Sequence, residues 1–119
     1  MISAETLEKL LKFRKDRDWE QFHTFKNLAI SISLEAAELL EHVQWAADSQ
    51  VADTVARKIN EVSAEIADIA IYLSYLAHDL GIDLEQTVQK KLLTNEAKYP
   101  VDKAKGTALK YDQFLWVRS

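Results

Sequence analysis

Two glycines and a single proline, Pro100, are all that interrupt helix propensity along 119 residues. Ala, Leu, Glu, Lys and Gln dominate the rest, and these are strong helix formers, so the chain is expected to be all-α. Its 48% hydrophobic residues supply one core, and the reading is a single domain over 1–119 with a basic, aromatic tail from about residue 101. The lack of cysteine excludes a disulfide framework and a thiolate zinc site. The most apolar window, Val62 to Leu80, contains Glu65, Asp68, His78 and Asp79, charges too costly at membrane depth for an ordinary span. A formal net charge of -4 argues against nucleic-acid polymers as partners. MISAETLEKLLKFRK reads as an amphipathic helix and not as an export signal, so a cytoplasmic location is expected.

Capping residues and periodicity divide the chain into four helices. Ser3 caps the first, which carries Leu7, Leu10, Leu11 and Arg14 on one stripe and ends near Asp16 to Asp18. RDWEQFHTFKN is irregular. Asn27 is read as the cap of a second helix running to about Ala47, with Ile32, Ala36, Leu39 and Val43 facing the core. A third runs from about Val51 to Leu80, with Ile59, Val62, Ile66, Ile69 and Leu73 on one side and Gly81 beyond its end. Asp83 with Gln86 starts a fourth, which Pro100 closes. Short connections between four helices predict a four-helix bundle.

Glutamates interrupt the apolar pattern of two of these helices. Glu35 and Glu38 lie three residues apart, about 60° around a helix, so both carboxylates share one face, and Trp45 continues that stripe. Glu61, Glu65, Asp68 and Tyr72 repeat at four, three and four residues, a heptad seam that is acidic where a core would be apolar. Such acids commonly decorate a solvated face, but here they sit among Leu, Ile, Val and Ala with few bases nearby. Facing carboxylates must be protonated, paired with a base, or hold a cation. Oxygen ligands suit hard ions, Mg²⁺ with Mn²⁺ as a substitute. A diiron site would use Glu-x-x-His pairs, and neither acidic pair has that form. Trp45 and Tyr72 fall on the same side as the acids, where flat rings would hold a nucleobase. Lys91 and Asn95 share a face of the fourth helix, which suits contact with phosphates.

Glu-x-x-Glu followed after 26 residues by Glu-x-x-Asp resembles the metal-binding signature of the all-α nucleoside triphosphate pyrophosphohydrolases of the MazG-like superfamily. The flanking RDWEQFHTFKNLA, ELLEHVQW, EIADIAIYL and KLLTNEAKYPVDKAKGTALKY are similar to its dCTP pyrophosphatase branch, over about Leu7 to Tyr111. The resemblance implies a Mg²⁺-dependent hydrolase that converts a deoxynucleoside triphosphate, dCTP or a modified dCTP, into the monophosphate and pyrophosphate and so cleans the nucleotide pool. It makes Glu35, Glu38, Glu65 and Asp68 the metal ligands, with Glu35 or Glu38 the candidate base for the attacking water. Trp19 and His23 match positions that close the pocket over the base. Trp45, Tyr72, Lys91 and Asn95 complete the substrate-binding set, and the tail lysines Lys103 and Lys105 would reach the site of a neighbouring subunit. A homodimer or tetramer is implied. Two positions depart from the family: ISISL precedes Glu35 where a small residue is expected, and Leu10 stands where animal members are expected to carry His. The competing reading is a non-catalytic helical interaction module whose acidic seam pairs with a basic partner.

Overall fold

A computed structural model of the chain describes residues 2–116. Helices and short 3-10 turns make up its regular structure, with no strand among the described residues. The helices are α1 (Ala4–Asp16), α2 (Phe25–Glu41), α3 (Val51–Arg57), α4 (Ile59–Asp79), α5 (Leu84–Lys98) and α6 (Val101–Ala104). They fall into two compact units, Met1–Ile82 with α1 to α4 and Asp83–Ser119 with α5 and α6. In the second unit the tail forms α6 and a 3-10 turn at Tyr111–Trp116. Residues 117–119 of the expected tail lie outside the described residues.

Local chemistry sets most helix ends. Ser3 accepts a hydrogen bond from the Thr6 N–H at 3.1 Å, and Asp83 accepts one from the Gln86 N–H at 3.1 Å, so each satisfies an otherwise orphaned donor of a first turn. At the end of α4, Gly81 turns to φ +66°; its N–H donates to the His78 carbonyl and the Ile82 N–H to the Ala77 carbonyl. This paired closure needs a residue at positive φ, which glycine adopts without a Cβ penalty.

Three expectations about helix limits are corrected. The cap of α2 is Thr24, not Asn27: Thr24 Oγ1 accepts from the Asn27 N–H at 3.1 Å, while the Asn27 side chain donates to the Phe22 carbonyl. α2 ends at Glu41, not near Ala47, because the chain tightens into i−3 bonds from Val43 to Leu40 and from Ala46 to Val43. The long third helix is two helices. At Lys58 (φ -108°, ψ 23°) the N–H is shared between the Thr54 and Val55 carbonyls. The β-branched Val51, Thr54 and Val55 crowd the short α3 and lower its helix propensity.

In the first unit α2 packs along α4, and α1 crosses α4 as well. Leu28 is 1% exposed at the centre, with Val62 and Tyr75 also buried. The expected apolar stripes are only partly covered: Ile59 and Ile66 of α4 stay exposed, as does Ala36 of α2, and Ile30 and Leu34 lie exposed outside the α2 stripe. Leu34, which precedes Glu35 where the family is expected to carry a small residue, is thus exposed.

Candidate active site

Packing of α2 on α4 brings the two acidic pairs together. Glu35 and Glu38 come from α2, Glu65 and Asp68 from α4. Glu35 Oε2 is fully buried with no hydrogen-bond partner. Burial pushes its carboxyl above the usual range, and a hydrogen bond with Glu38 and the charges of Glu38, Asp68 and Glu65 push it further. A buried, unpartnered carboxylate oxygen facing three acids is costly unless a cation or proton meets it. The donor set, all oxygen, fits a hard divalent cation. Among the described residues no three acids or histidines form a ready-made cage, so the acids stand as facing groups and not as a closed polyhedron. Glu61, the first of the three acids of the seam, is exposed, as are Glu38 and Asp68, whereas Glu35 and Glu65 are half-buried.

Glu65 has a partner that the sequence reading passed over. His42 Nε2 meets Glu65 Oε2 in a short contact between half-buried side chains. His42 lies four residues after Glu38, so helical spacing alone points it along the acidic face. It crosses to α4 from the residue immediately after α2.

Beside the acids, a cavity of about 280 Å³ opens within the first unit. Trp19, His23, Tyr72 and Tyr75 supply its aromatic wall, Leu10, Phe13 and Ile71 its apolar lining, and Asp68 its acidic edge. Leu10, which stands where animal members of the family are expected to carry His, thus lies in the cavity wall. The rings lean on one another: Phe13 meets Trp19 edge-on at 5.6 Å, and His23 lies 5.1 Å from Tyr75. The Tyr75 hydroxyl donates to the Leu10 carbonyl at 2.7 Å, and burial pushes its phenol up.

A charged pair backs this wall. Arg14 of α1, expected only as a member of an apolar stripe, is buried and donates from both terminal nitrogens to Asp79 at 2.5 and 2.9 Å. That hydrogen bond holds the Asp79 carboxyl below its usual range and raises Arg14. The guanidinium also lies over the Tyr75 ring at 4.7 Å and reaches His23 Nδ1 at 3.5 Å. Burial, then the Arg14 charge, lowers the His23 imidazole. The signal in sequence was an arginine at a leucine position.

The remaining expected residues are placed differently. Trp45 lies in the turns after α2 and is 90% exposed, because α2 ends four residues before it; it does not share the cavity wall with Tyr72. Lys91 and Asn95 lie on an exposed face of α5, and Lys103 and Lys105 at α6, all in the second unit.

Helices that set facing carboxylate pairs against an aromatic cavity define an all-α, acidic-cleft class of protein. The MazG-like family model matches residues 30–114, and the chain belongs to that family. It is 38% identical to dCTP pyrophosphatase 1 of Bos taurus over 92% of this chain and 68% of that protein. The corresponding mouse protein is 37% identical over 84% of this chain and 60% of its own length. The chain thus spans about two thirds of the length of these curated relatives. A pyrophosphatase from Archaeoglobus fulgidus, known from its crystal structure, is 44% identical and superposes with a TM-score of 0.78 over 81% of this chain and 90% of that one.

Proposed function

We propose that this chain, a nucleotide pyrophosphatase of the hydrolase class like its relatives, cleaves the α–β bond of a deoxynucleoside triphosphate. The favoured substrate is dCTP or a modified dCTP, and the products are the monophosphate and pyrophosphate. One observation carries the reading: Asp68 belongs both to the acid cluster around the orphaned Glu35 oxygen and to the rim of the aromatic cavity. A base held by the rings therefore brings its phosphates to the acids.

Glu35, Glu38, Glu65 and Asp68 would hold Mg²⁺, or Mn²⁺ in its place. When bound, the ion neutralises phosphate charge and polarises the phosphoryl group. The chain's own groups do the rest. Glu35 or Glu38 takes the proton of the attacking water. Trp19 and Tyr72 stack on the base, and His23 meets its edge. His42 orients Glu65 by occupying one of its oxygens. Lys91 and Asn95, with Trp45, belong to the substrate-binding set on the family resemblance alone.

That assembly is a homodimer or tetramer in this reading. Phe22, Phe25, Leu34 and Ile66 leave large apolar side chains exposed, surface that a second copy would cover. None of the described helices is long and apolar enough to cross a membrane; the proposed place of action is the cytoplasm, on free nucleotides and not on polymers. The test is incubation of the full chain with a panel of deoxynucleoside triphosphates and Mg²⁺ in ¹⁸O-labelled water. Labelled dCMP or pyrophosphate as the initial products supports the reading, whereas dCDP with orthophosphate rejects it.

A further inference from the structure

The geometry points to Arg14 as a positioning residue that fixes His23 as the neutral tautomer protonated at Nε2, so that the cavity presents one permanent hydrogen-bond donor to the base. The assignment rests on the reading of the cavity as a base slot and deepens it.

Hydrogen-bond inventory decides the tautomer. A guanidinium has donors only, so whatever faces it must accept. Arg14 Nη1 uses one N–H on Asp79 Oδ2 at 2.9 Å and directs its other toward His23 Nδ1 at 3.5 Å. The bidentate pair with Asp79 leaves the guanidinium no freedom to swing away. A proton on Nδ1 would set two donors against each other beside a fixed positive charge. Nδ1 is therefore the lone-pair nitrogen and Nε2 carries the hydrogen. Tyr75 offers no competing partner to the ring, because its hydroxyl is committed to the Leu10 carbonyl. Lowering of the His23 imidazole by burial and by Arg14 agrees with a ring that stays neutral. Arg14 itself is not in the cavity lining, whereas His23 is, so the nitrogen left for an occupant is Nε2.

The consequence is selectivity. An ordinary surface histidine exchanges its two neutral tautomers and serves donor or acceptor alike. A locked donor does not. Cytosine presents N3 and O2 as adjacent acceptors, whereas thymine and uracil carry a hydrogen on N3. An Nε2–H against N3 accepts the first and opposes the others, leaving a donor unpaired in a partly buried site.

The experiment reads the imidazole directly. In the ¹⁵N-labelled full chain at about pH 7.5, above the ordinary histidine range, long-range ¹H–¹⁵N correlation should show His23 Nδ1 unprotonated and Nε2 protonated. An Nδ1–H tautomer or an imidazolium in the unaltered protein overturns the assignment, whatever the turnover. The double variant Arg14→Met/Asp79→Asn removes both charges and so avoids leaving one buried alone. It should show a mixture of tautomers and lose about tenfold in the ratio of dCTP to dTTP kcat/KM, through KM more than kcat. A ring still fully Nε2–H in that variant, or an unchanged ratio, overturns the role of Arg14. If the variant fails to fold, the spectrum of the unaltered protein still decides the tautomer. Absence of turnover with every nucleotide, beside an Nε2–H spectrum, would reject the base-slot reading and with it the selectivity, but not the tautomer.

Discussion

Helix α4 carries two acids about three turns apart that live under opposite rules. At Asp79 a half-buried carboxylate meets a buried guanidinium through two hydrogen bonds, and its carboxyl is held low. At Asp68 the surroundings are acids, and the buried Glu35 oxygen among them has no partner, its carboxyl pushed high. Each arrangement sets an acid of α4 beside a group that the fold buries, Arg14 in the first and the Glu35 oxygen in the second. The first is internally neutral and fixes the fold; in the second His42 meets Glu65, but the chain sets no base against Glu35, an imbalance that suits the proposed cation and its phosphates. The difference teaches that the meaning of a buried acid lies in what the fold puts opposite it.

The comparison breaks first at the acids. Glu38→Gln or Asp68→Asn keeps shape and removes charge, and each should lower kcat/KM by about 10²–10³-fold, the scale on which loss of one transition-state group acts. Pyrophosphate release gives the rate and circular dichroism checks that helicity is retained. Near-normal turnover in both variants would make the acidic face ordinary solvated surface. The opposite profile is expected at the other end. Asp79→Asn strands Arg14, whose side chain is only 7% exposed, and should cost about 2–3 kcal/mol in urea unfolding, below the full penalty of a buried pair because Asp79 is 31% exposed. Adding Arg14→Met should return most of that loss. If the double variant is as weak as the single, the pair contributes packing and not charge balance.

The aromatic wall joins the two regions. Trp19→Ala or Tyr72→Ala should weaken nucleotide binding by about 1–3 kcal/mol, read as a rise in KM, while any rise in melting temperature on adding Mg²⁺ should equal that of the unaltered protein. Unchanged KM in both would leave the rings as packing around Tyr75.

How much of this was readable in advance follows the range of the interactions. Ser3, Asp83 and Gly81 act within one turn, so their roles at helix ends stood in the sequence. The acidic periodicity of α2 and α4 was equally legible, because spacing alone puts Glu35 with Glu38 and Glu65 with Asp68. The end of α2 at Glu41 and the break at Lys58 were not, since no glycine or proline marks them and the chain closes each by shifting backbone bonds. Trp45 was misplaced in consequence, because its expected direction assumed that the helix continued to about Ala47, six residues past its actual end. Arg14 and Asp79 are 65 residues apart, and nothing local to either announces the other; an arginine in a leucine stripe was the whole signal. His42 was visible four residues beyond Glu38, but its partner on α4 depends on how the helices pack.

The smallest expected effect concerns pH, where the two regions should respond with opposite sign. Asp79 has its folded value depressed, so its contribution to stability is complete above the ordinary carboxylate range and is lost as pH falls through that lowered value. Glu35 has its folded value raised. Its protonated form is the one the fold prefers, so stability is greatest below the ordinary carboxylate range and declines as pH rises through the raised value. In chelator, Glu35→Gln should therefore melt higher than the unaltered protein at neutral pH. Relief of a like-charge contact on this scale, about 0.2–0.5 kcal/mol, corresponds to a rise of about 1–4 °C. The advantage should vanish on acidification, where Glu35 takes up its own proton, and should invert with Mg²⁺, which stabilises the acids only when all are charged. Asp79→Asn should show the reverse, a deficit at neutral pH that narrows as Asp79 in the unaltered protein is titrated. Melting curves of the three proteins across pH, with and without Mg²⁺, measure this; parallel curves would mean that the two ends of α4 do not differ electrostatically.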